Sequence, residues 1–471
     1  MARIRSSTLT LAPPSGPVAA RRGRPDATPP RRAGDRGGGG AGPTPGGQPT
    51  GWDGTPRAPR VVGNRPPCRG APMPTTHRPA RRTAALAAAL LSTALIGTAA
   101  SAGAAPPAAT GAATTTSAAA GTHHRSPAVQ HSLDALVRDD GLPGALAAVR
   151  ERSGRVTDYT AGVRDVVSGK PIQPDSRIRI ASNTKTFTAT VVLQLVGEGE
   201  VVLDEPVETY LPGVVRGPGG DGRSITVRQL LQQTSGLPDY DTLVLGTDLV
   251  SVRHTYFEPS QLLQAALDQP ASFAPGTRFE YSNTNYVVAG LLVQRVTGRP
   301  IGEQITERII EPLHLRDTYW PTTGDQDIRG RHPQGYDLDT AATPVDVTDT
   351  DPSLGWAAGQ LISTPSDLAR FLDALVGGEL LAPAELEQMR TTVPAPGFEP
   401  QGEWAYGLGL ARTTLSCGLE AWGHGGDIQG FETRNLVTTD GRAAVVAVTA
   451  LPRTLEAIGR VDAAVDTALC S

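Results

Sequence analysis

Only three of the 471 residues are cysteine, and the motifs of several well-known enzyme classes are missing. The sequence has no Gly-x-Ser-x-Gly motif, which argues against a conventional Ser-His-Asp hydrolase. It has no His-Glu-x-x-His or Walker A motif, and no Gly-rich dinucleotide-binding loop precedes a predicted helix. These absences argue against a metallohydrolase and a nucleotide-dependent enzyme, so we expect no metal and no cofactor.

Charge is distributed unevenly along the chain, although the formal net charge at pH 7 is only −4. Arginine is abundant and acidic residues are rare in the first 105 residues, so the remainder is strongly acidic. An acidic folded part repels nucleic-acid phosphates and anionic membrane surfaces. This balance argues against nucleic acid as a partner.

The beginning of the chain resembles a leader. Residues 1–72 are rich in Arg, Gly and Pro, which predicts a disordered segment or a misassigned start. Residues 73–104 contain a basic segment, an apolar run and an Ala-x-Ala cleavage site, as a secretory signal peptide does. The alternative is a buried helix or a membrane anchor. No later segment is apolar enough to span a membrane, so we expect a secreted, extracellular protein.

The cysteines agree with export. Cys68 lies in the predicted leader, which leaves Cys417 and Cys470 in the mature protein. Two cysteines in an exported protein suggest one disulfide. Two buried free thiols are the alternative.

Strand patterns lie at both ends of the part that follows a flexible spacer at 105–125. Residues 126–139 carry apolar side chains at helical spacing. Hairpins are predicted around the turns Ser153-Gly154 and Asp440-Gly441. An amphipathic helix is predicted at 454–469, with one apolar face made of Leu455, Ile458, Val461, Val465 and Leu469.

Helical patterns and loops occupy the centre, at about 183–390. A helix-rich centre between strand-rich ends predicts an α/β (α+β) fold, with an antiparallel sheet covered by the terminal helices and an inserted helical subdomain. We expect residues 126–471 to form one globular unit with two lobes.

Ser182 and Lys185 are the first candidates for chemistry. They follow a β-like run at 177–180 and open a predicted helix, so the hydroxyl and the ammonium lie one turn apart on the same side. A lysine whose pKa is lowered by burial can deprotonate a serine, and the helix N-terminus offers N–H groups to an oxyanion. The alternative is an N-cap serine with a surface lysine.

Two further motifs support this chemistry. Tyr281-Ser282-Asn283 precedes an apolar helix, where the tyrosine can relay a proton and the asparagine can bind a substrate amide; a polar N-cap cluster is the alternative. His424-Gly425-Gly426 is predicted on a strand that lines a cleft, where glycines admit a substrate backbone. The N–H of Asp427 is a candidate oxyanion donor. A structural histidine in a Gly-rich loop is the alternative.

In this order, the three motifs resemble the serine β-lactamase and penicillin-binding-protein superfamily, class C-like and nearest to exported D-alanyl-D-alanine carboxypeptidases. The likeness covers about 126–470 and includes family-like segments at 225–237, 281–290, 358–363 and 406–410. It implies a β-lactamase/DD-peptidase-like fold and a bridge between Cys417 and Cys470.

Carried over residue by residue, the resemblance implies that Ser182 forms an acyl-enzyme and that Lys185 and Tyr281 share the general-base work. The N–H groups of Ser182 and Asp427 would form the oxyanion hole. The predicted substrate contacts are Asn283, His424, Gly426, Asp427, Trp356 and Arg412.

The sequence departs from the pattern at several of these places. Gln233 stands where many members have His, while Gly425 and Asp427 stand where the carboxypeptidases have Thr. Ala411 replaces the arginine that holds the substrate carboxylate. Arg412 follows it, but neighbours on a strand point to opposite faces. These changes weaken the case for strict carboxypeptidase activity.

We expect a peptidase of the D-alanyl-D-alanine carboxypeptidase or transpeptidase type, acting on small peptides that resemble peptidoglycan, with β-lactams as mimics that acylate Ser182. An esterase, a D-amino-acid amidase and a β-lactamase are alternatives within the same fold. A non-catalytic cell-wall binding protein is the alternative from another class, but it would not need all of Ser182, Lys185 and Tyr281. We expect a monomer.

Overall fold

The computed structural model describes residues 125–243, 249–338 and 343–471. The predicted leader at 1–72, the signal peptide at 73–104 and nearly all of the spacer at 105–125 lie outside these residues, so these assignments stay predictions. Within the described ranges, no helix combines the length and apolar character needed to cross a membrane.

An antiparallel sheet of nine strands forms the centre of the described part. Its order is β2-β1-β9-β8-β6-β5-β4-β3, and β7 also pairs with β8. The strands are β1 (Gly144–Arg150), β2 (Val156–Gly162), β3 (Val393–Pro394), β4 (Ala405–Tyr406), β5 (Ala411–Thr414), β6 (Glu420–Gly423), β7 (Gly426–Ile428), β8 (Phe431–Thr438) and β9 (Ala443–Val448). Both predicted hairpins are present, as β1 with β2 and β8 with β9.

Most of the helices lie between β2 and β3 in the sequence. The described helices are α1 (Pro127–Arg138), α2 (Thr184–Gly197), α3 (Val207–Tyr210), α4 (Val227–Leu231), α5 (Leu249–Val252), α6 (Pro259–Leu267), α7 (Thr284–Thr297), α8 (Ile301–Ile305), α9 (Trp356–Gly359), α10 (Pro365–Val376), α11 (Pro383–Arg390) and α12 (Leu455–Cys470). Helices α2 and α7 pack against each other in the centre of this inserted region.

The two faces of the sheet are covered by different helices. Alternate residues of a strand point to opposite faces. Ala145 and Ala147 of β1 belong to the core that includes α1 and α12. Leu146, between them, belongs to the core that includes α2, α7 and α10. The terminal helices therefore cover one face and the inserted helices meet the other, which confirms the predicted fold class.

The last helix differs from its prediction at one position. Ile458, Val461, Val465 and Leu469 are buried as expected, but Leu455 is 58% exposed. Leu455 is the first residue of α12, directly after the N-cap Thr454. A helical side chain points back over the preceding turn, and here no preceding turn exists to carry it onto the sheet.

A disulfide joins Cys417 to Cys470, the two cysteines for which a bridge was expected. It connects the turn between β5 and β6 to the last residue of α12. The bridge therefore ties a terminal helix to the part of the sheet that leads into β7.

Candidate active site

A sharp turn presents Ser182 at the start of α2. The turn is a short 3₁₀-helix at Ala181–Asn183, and Ala181 has a φ of 45°, in the left-handed region that costs a residue with a Cβ about 1 kcal/mol. A Cβ on Gly359 would lie 3.8 Å from the Ala181 backbone, so α9 packs closely on the turn. Ser182 remains 7% exposed at the edge of a cleft.

Lys185 lies fully buried beneath Ser182. Its Nζ is 2.9 Å from Ser182 Oγ, and it donates to Asn283 Oδ1 at 2.6 Å and to the Ala358 carbonyl at 2.9 Å. Two of these three partners can only accept a proton. A neutral amine can donate to both carbonyl oxygens and still turn its lone pair to the serine hydroxyl. The alternative of a surface lysine is therefore wrong.

The pKa of Lys185 is close to neutrality. Burial lowers the pKa of its ammonium group to about 7, although the carboxylates of Asp239, Asp241 and Asp427 oppose this shift. A substantial fraction of the side chain is then a neutral base at physiological pH. This is the protonation state that removing a proton from Ser182 requires.

Asn283 connects Lys185 to two carboxyl groups, those of the buried Asp241 and the partly exposed Asp239. It is the N-cap residue of α7 but makes no side-chain capping bond. Its Nδ2 donates to Asp241 Oδ2 at 2.8 Å and to Asp239 Oδ2 at 3.1 Å, while its Oδ1 accepts from Lys185. Burial, with the charge of Asp239, raises the pKa of Asp241. The amide predicted to bind substrate thus also orients the lysine.

Tyr281 stands over Lys185 on the side of the cleft. The Lys185 Nζ lies 4.9 Å from the centre of the Tyr281 ring. The ring packs with Phe398 and Tyr406 at centroid distances of 5.9 and 6.4 Å. This aromatic cluster holds the Tyr281 ring beside Lys185, as the predicted proton relay requires.

Gln233 fixes the loop that carries Tyr281. Its Oε1 accepts from the Ser282 N–H at 3.0 Å and from Asn285 Nδ2 at 2.6 Å. Its carbonyl accepts from the Glu280 N–H at 3.0 Å. Gln233, which stands where the family has His, therefore hydrogen-bonds to the residues on both sides of Tyr281.

His424 and Gly425 form a break between β6 and β7, so the prediction that His424 lies on a strand is wrong. The ring is buried, with Nε2 2.9 Å from the Tyr406 hydroxyl and Nδ1 2.6 Å from the Gly425 carbonyl. Burial and the charge of Lys185 lower the pKa of His424 to about 3. A neutral ring that donates from Nδ1 and accepts at Nε2 satisfies both contacts, so the protein itself occupies both nitrogens.

Strand β7 lies directly against the nucleophile turn. A Cβ on Gly426 would be 2.4 Å from the Ile180 carbonyl oxygen, a distance that no side chain tolerates. The next residue, Asp427, pairs its carboxylate with Arg434 at 2.6 Å. Gly426, which was predicted to let a substrate backbone approach, instead lets the turn that carries Ser182 pack closely against β7.

Arg434 is a buried cation beside the site that the sequence did not reveal. Its buried guanidinium lies within 3.5 Å of four carboxylates, belonging to Asp427, Asp462, Glu399 and Glu432. Burial alone would lower the pKa of Arg434, but the carboxylates raise it well above its usual value. The group is therefore a permanent cation that anchors Asp427.

The prediction that Arg412 contacts the substrate is wrong. Ala411 faces inward and packs with the cluster that includes Tyr281, whereas Arg412 is exposed and pairs with Glu420 at 3.1 Å. Neighbouring residues on β5 point to opposite faces, so the guanidinium turns away from the cleft.

The predicted contact by Trp356 is also wrong. Its indole lies against α7, where a Cβ on Gly290 would be 2.8 Å from the Trp356 ring. The ring packs against the apolar core because Gly290 leaves room for it. Trp356 is not among the described residues that line the cleft beside Ser182.

Replacing Arg412 by alanine should leave kcat/KM within about twofold of the parent, because exposed ion pairs contribute little and this one faces away from the cleft. Steady-state kinetics on p-nitrophenyl acetate would measure the effect. A loss of tenfold or more would return Arg412 to the site.

The cleft beside Ser182 encloses about 230 Å³, part of it open to solvent. Its described lining is Ala181, Ser182, Tyr240, Asn283, Gly355, Ala358, Gly359, Asp427 and Ile428. Asp427 is the charged side chain among these lining residues. Within the described ranges, no cluster of three or more His, Cys, Asp or Glu side chains is suited to hold a metal ion.

Comparison with known proteins agrees with this geometry. A D-stereospecific amidohydrolase from Streptomyces sp. is 41% identical with a TM-score of 0.64, over 71% of this chain and 97% of that one. A D-amino acid amidase from Ochrobactrum anthropi SV3 is 29% identical with a TM-score of 0.64, over 73% and 96%. A D-aminopeptidase from Cereibacter sphaeroides is 29% identical over 68% of this chain and 59% of that protein.

Protein flp from Staphylococcus aureus (strain COL) is 31% identical over 46% of this chain and 43% of that protein. The chain thus spans about half the length of the curated relatives it matches. The family model described as beta-lactamase matches residues 129–468, which is nearly all of the described part. With the paired Ser182 and Lys185 in a cleft of the matching fold, the chain belongs to the beta-lactamase family and is a serine hydrolase of the serine β-lactamase and penicillin-binding-protein superfamily.

Proposed function

We propose that the chain hydrolyses amides and short peptides of D-amino acids that carry a free α-ammonium group, through an acyl-enzyme on Ser182. The charge of the cleft carries this proposal. Asp427 supplies its charged lining, and the four carboxyl groups around Arg434, Asp427 among them, outnumber that one cation. The Asp239 and Asp241 pair lies behind Asn283. Negative charge attracts a substrate ammonium and repels a terminal carboxylate. The named activities of the amidohydrolase, amidase and aminopeptidase relatives support the same substrate class.

The proposed reaction begins with proton transfer from Ser182 to neutral Lys185. Ser182 Oγ attacks the substrate carbonyl carbon, and the oxyanion forms opposite the N–H groups of Ser182 and Asp427. The proton then passes through the Tyr281 hydroxyl to the leaving amine as the C–N bond breaks. Water attacks the resulting ester, with the same groups acting in reverse, and the D-amino acid leaves.

A second cavity extends the cleft and supports a bulky acyl side chain. It spans about 400 Å³, a volume that includes open solvent, and shares Gly355 and Ile428 with the first. Its apolar lining residues include Val252, Phe257 and Leu354. Apolar walls that adjoin the cleft favour an apolar or aromatic substrate side chain.

The expectation of a D-alanyl-D-alanine carboxypeptidase has less support. The arginine that would hold a terminal carboxylate is absent at Ala411, and Arg412 faces away. Export, a peptidoglycan substrate and a monomeric state stay predictions.

The proposal predicts a ranking of substrates. D-Phenylalanine amide should be hydrolysed with a higher kcat/KM than L-phenylalanine amide, and N-acetylation of the D-amide should lower kcat/KM because it removes the ammonium charge. Amine release followed at pH 7.5 would measure all three. Faster release of D-alanine from diacetyl-L-lysyl-D-alanyl-D-alanine than of ammonia from the D-amide would instead favour the carboxypeptidase.

A further inference from the structure

Two buried asparagines join the nucleophile turn to the segment that leads into β7. Asn183 follows Ser182, and its Nδ2 donates to the Ile180 carbonyl at 2.7 Å. Its Oδ1 accepts from Asn435 Nδ2 at 2.5 Å. Asn435 also donates to the His424 carbonyl at 2.8 Å and accepts from the His424 N–H at 3.3 Å. The chain on either side of the cleft is thus linked through two side-chain amides.

The orientation of both amides is determined by their partners. The His424 N–H can only donate and the His424 carbonyl can only accept, so Asn435 has one possible orientation. Asn435 then presents an N–H to Asn183, whose own N–H groups meet the Ile180 carbonyl and Thr433 Oγ1. Each amide thereby uses both its N–H groups and its oxygen, at positions no more than 4% exposed. A buried network satisfied to this degree favours a single arrangement.

Thr433 closes the link at β7. Its hydroxyl accepts from Asn183 Nδ2 at 2.5 Å and donates to the Gly426 carbonyl at 3.3 Å. Thr433 is opposite Gly426 in the pairing of β7 with β8. Gly426 directly precedes Asp427, just as Ser182 directly precedes Asn183. The network therefore ends one residue away from each proposed oxyanion donor.

We propose that Asn183, Asn435 and Thr433, here named the amide clasp, are positioning residues that set the separation between the N–H groups of Ser182 and Asp427. The proposal rests on the acyl-enzyme chemistry proposed above for Ser182. Two donors must meet one oxyanion, and small errors of placement slow such reactions strongly. The clasp touches neither substrate nor reacting atoms, so its effect is on the rate of both steps that pass through a tetrahedral intermediate.

Thr433→Val tests the clasp with little change in volume. Removing either asparagine would leave several buried partners unsatisfied and endanger folding. Thr190→Val is a matched control, because Thr190 is also fully buried and its hydroxyl bonds only to the Thr186 carbonyl one turn earlier in α2. Thr433→Ser retains the hydroxyl, so it should keep the acylation rate of the parent. The probe is p-nitrophenyl acetate, followed in a stopped-flow instrument.

The size of the p-nitrophenol burst counts competent active sites, and its rate constant reports acylation at those sites. We expect Thr433→Val to slow acylation and deacylation by about tenfold at saturating ester, with the apparent KM nearly unchanged. Thr433→Ser and Thr190→Val should stay close to the parent. A purely structural role would reduce the burst size or the melting temperature without changing the rate constant, and that result would overturn the clasp. Undiminished p-nitrophenol release by Ser182→Ala would instead overturn the acyl-enzyme itself.

Discussion

Replacing Lys185 by methionine should slow acylation of Ser182 by about 10²- to 10⁴-fold, the range that a positioned general base contributes. Methionine has a similar length and is apolar, so it fills the buried space without a charge. The change leaves Asn283 Oδ1 and the Ala358 carbonyl without their donor, but it also removes a buried ammonium group. We therefore expect the variant to fold, as circular dichroism would show, and single-turnover acylation to be the property that fails.

The same role predicts the pH dependence of the parent. The pKa of Lys185 is about 7, and the base must be neutral. On a substrate without an ammonium group, such as p-nitrophenyl acetate, kcat/KM should therefore fall about tenfold per unit below pH 7 and level off above it. His424 cannot cause this change, because its pKa is lowered to about 3.

The Asp241→Asn variant distinguishes titration of Lys185 from titration of the neighbouring Asp241 carboxyl group, whose pKa is raised by burial. Loss of that negative charge should move the pH midpoint of the rate downward, because the Lys185 ammonium loses a stabilising neighbour. If the midpoint disappeared in this variant, the titrating group would be Asp241. Near-normal acylation in Lys185→Met would remove the lysine from the mechanism altogether.

Arg434→Met should destabilise the fold by about 3–5 kcal/mol at pH 7, because it leaves one buried and three partly buried carboxyl groups without their cation. Asp427, Glu399, Glu432 and Asp462 all lie within 3.5 Å of the guanidinium. Their mutual repulsion would then be relieved only by taking up protons or by opening the structure. Urea unfolding followed by tryptophan fluorescence would measure the change.

The destabilisation of Arg434→Met should lessen as the pH falls. Burial raises the pKa of Glu432 and Asp462 above their usual values, 4.5 and 3.8, even beside Arg434. The folded state then binds more protons than the unfolded state, so stability decreases as the pH rises above these values. Loss of the cation raises both pKa values further and steepens this decrease.

Arg152→Met is the control for this variant, since Arg152 is 65% exposed and also pairs with a carboxylate, that of Asp440. It should change stability little at any pH between 5 and 8, the range over which the two variants are compared. Equal effects in the two variants would show that the cluster around Arg434 is no more important than a surface pair.

Much of the fold followed from the sequence because its patterns have local causes. The turns at Ser153-Gly154 and Asp440-Gly441 identified both hairpins of the central sheet. Apolar residues at helical spacing located α1 and α12 to within about two residues. Helix α2, which was predicted to begin at Ser182 and Lys185, lies inside the core and is buried on nearly all sides.

The pair formed by Ser182 and Lys185 was found because its spacing lies within one helical turn. Tyr281 and Asn283 were found through their motif and its place before α7. By contrast, Arg412 and Trp356 were assigned to the cleft without knowledge of which way each side chain points. Because side chains alternate along β5, Arg412 faces outward. The space over Gly290 lets Trp356 pack against the core.

The supporting network was beyond the sequence, since its partners are distant along the chain. Asn183 and Asn435 are 252 residues apart, and nothing in either local pattern indicates the other. Glu432, Arg434 and Asn435 in an otherwise buried strand are the one signal available. Charged and amide side chains in such a strand need buried partners, so they indicate a network but not which other residues belong to it.

The measurement that tests the central claim most directly is chemical trapping of the acyl-enzyme. The protein would be mixed with D-phenylalanine methyl ester, quenched in acid within the first turnover, and analysed by intact mass and peptide mapping beside Ser182→Ala. We predict a D-phenylalanyl group on the peptide that contains Ser182, and none in the variant. An adduct on another residue, or one that persists in Ser182→Ala, would contradict the mechanism.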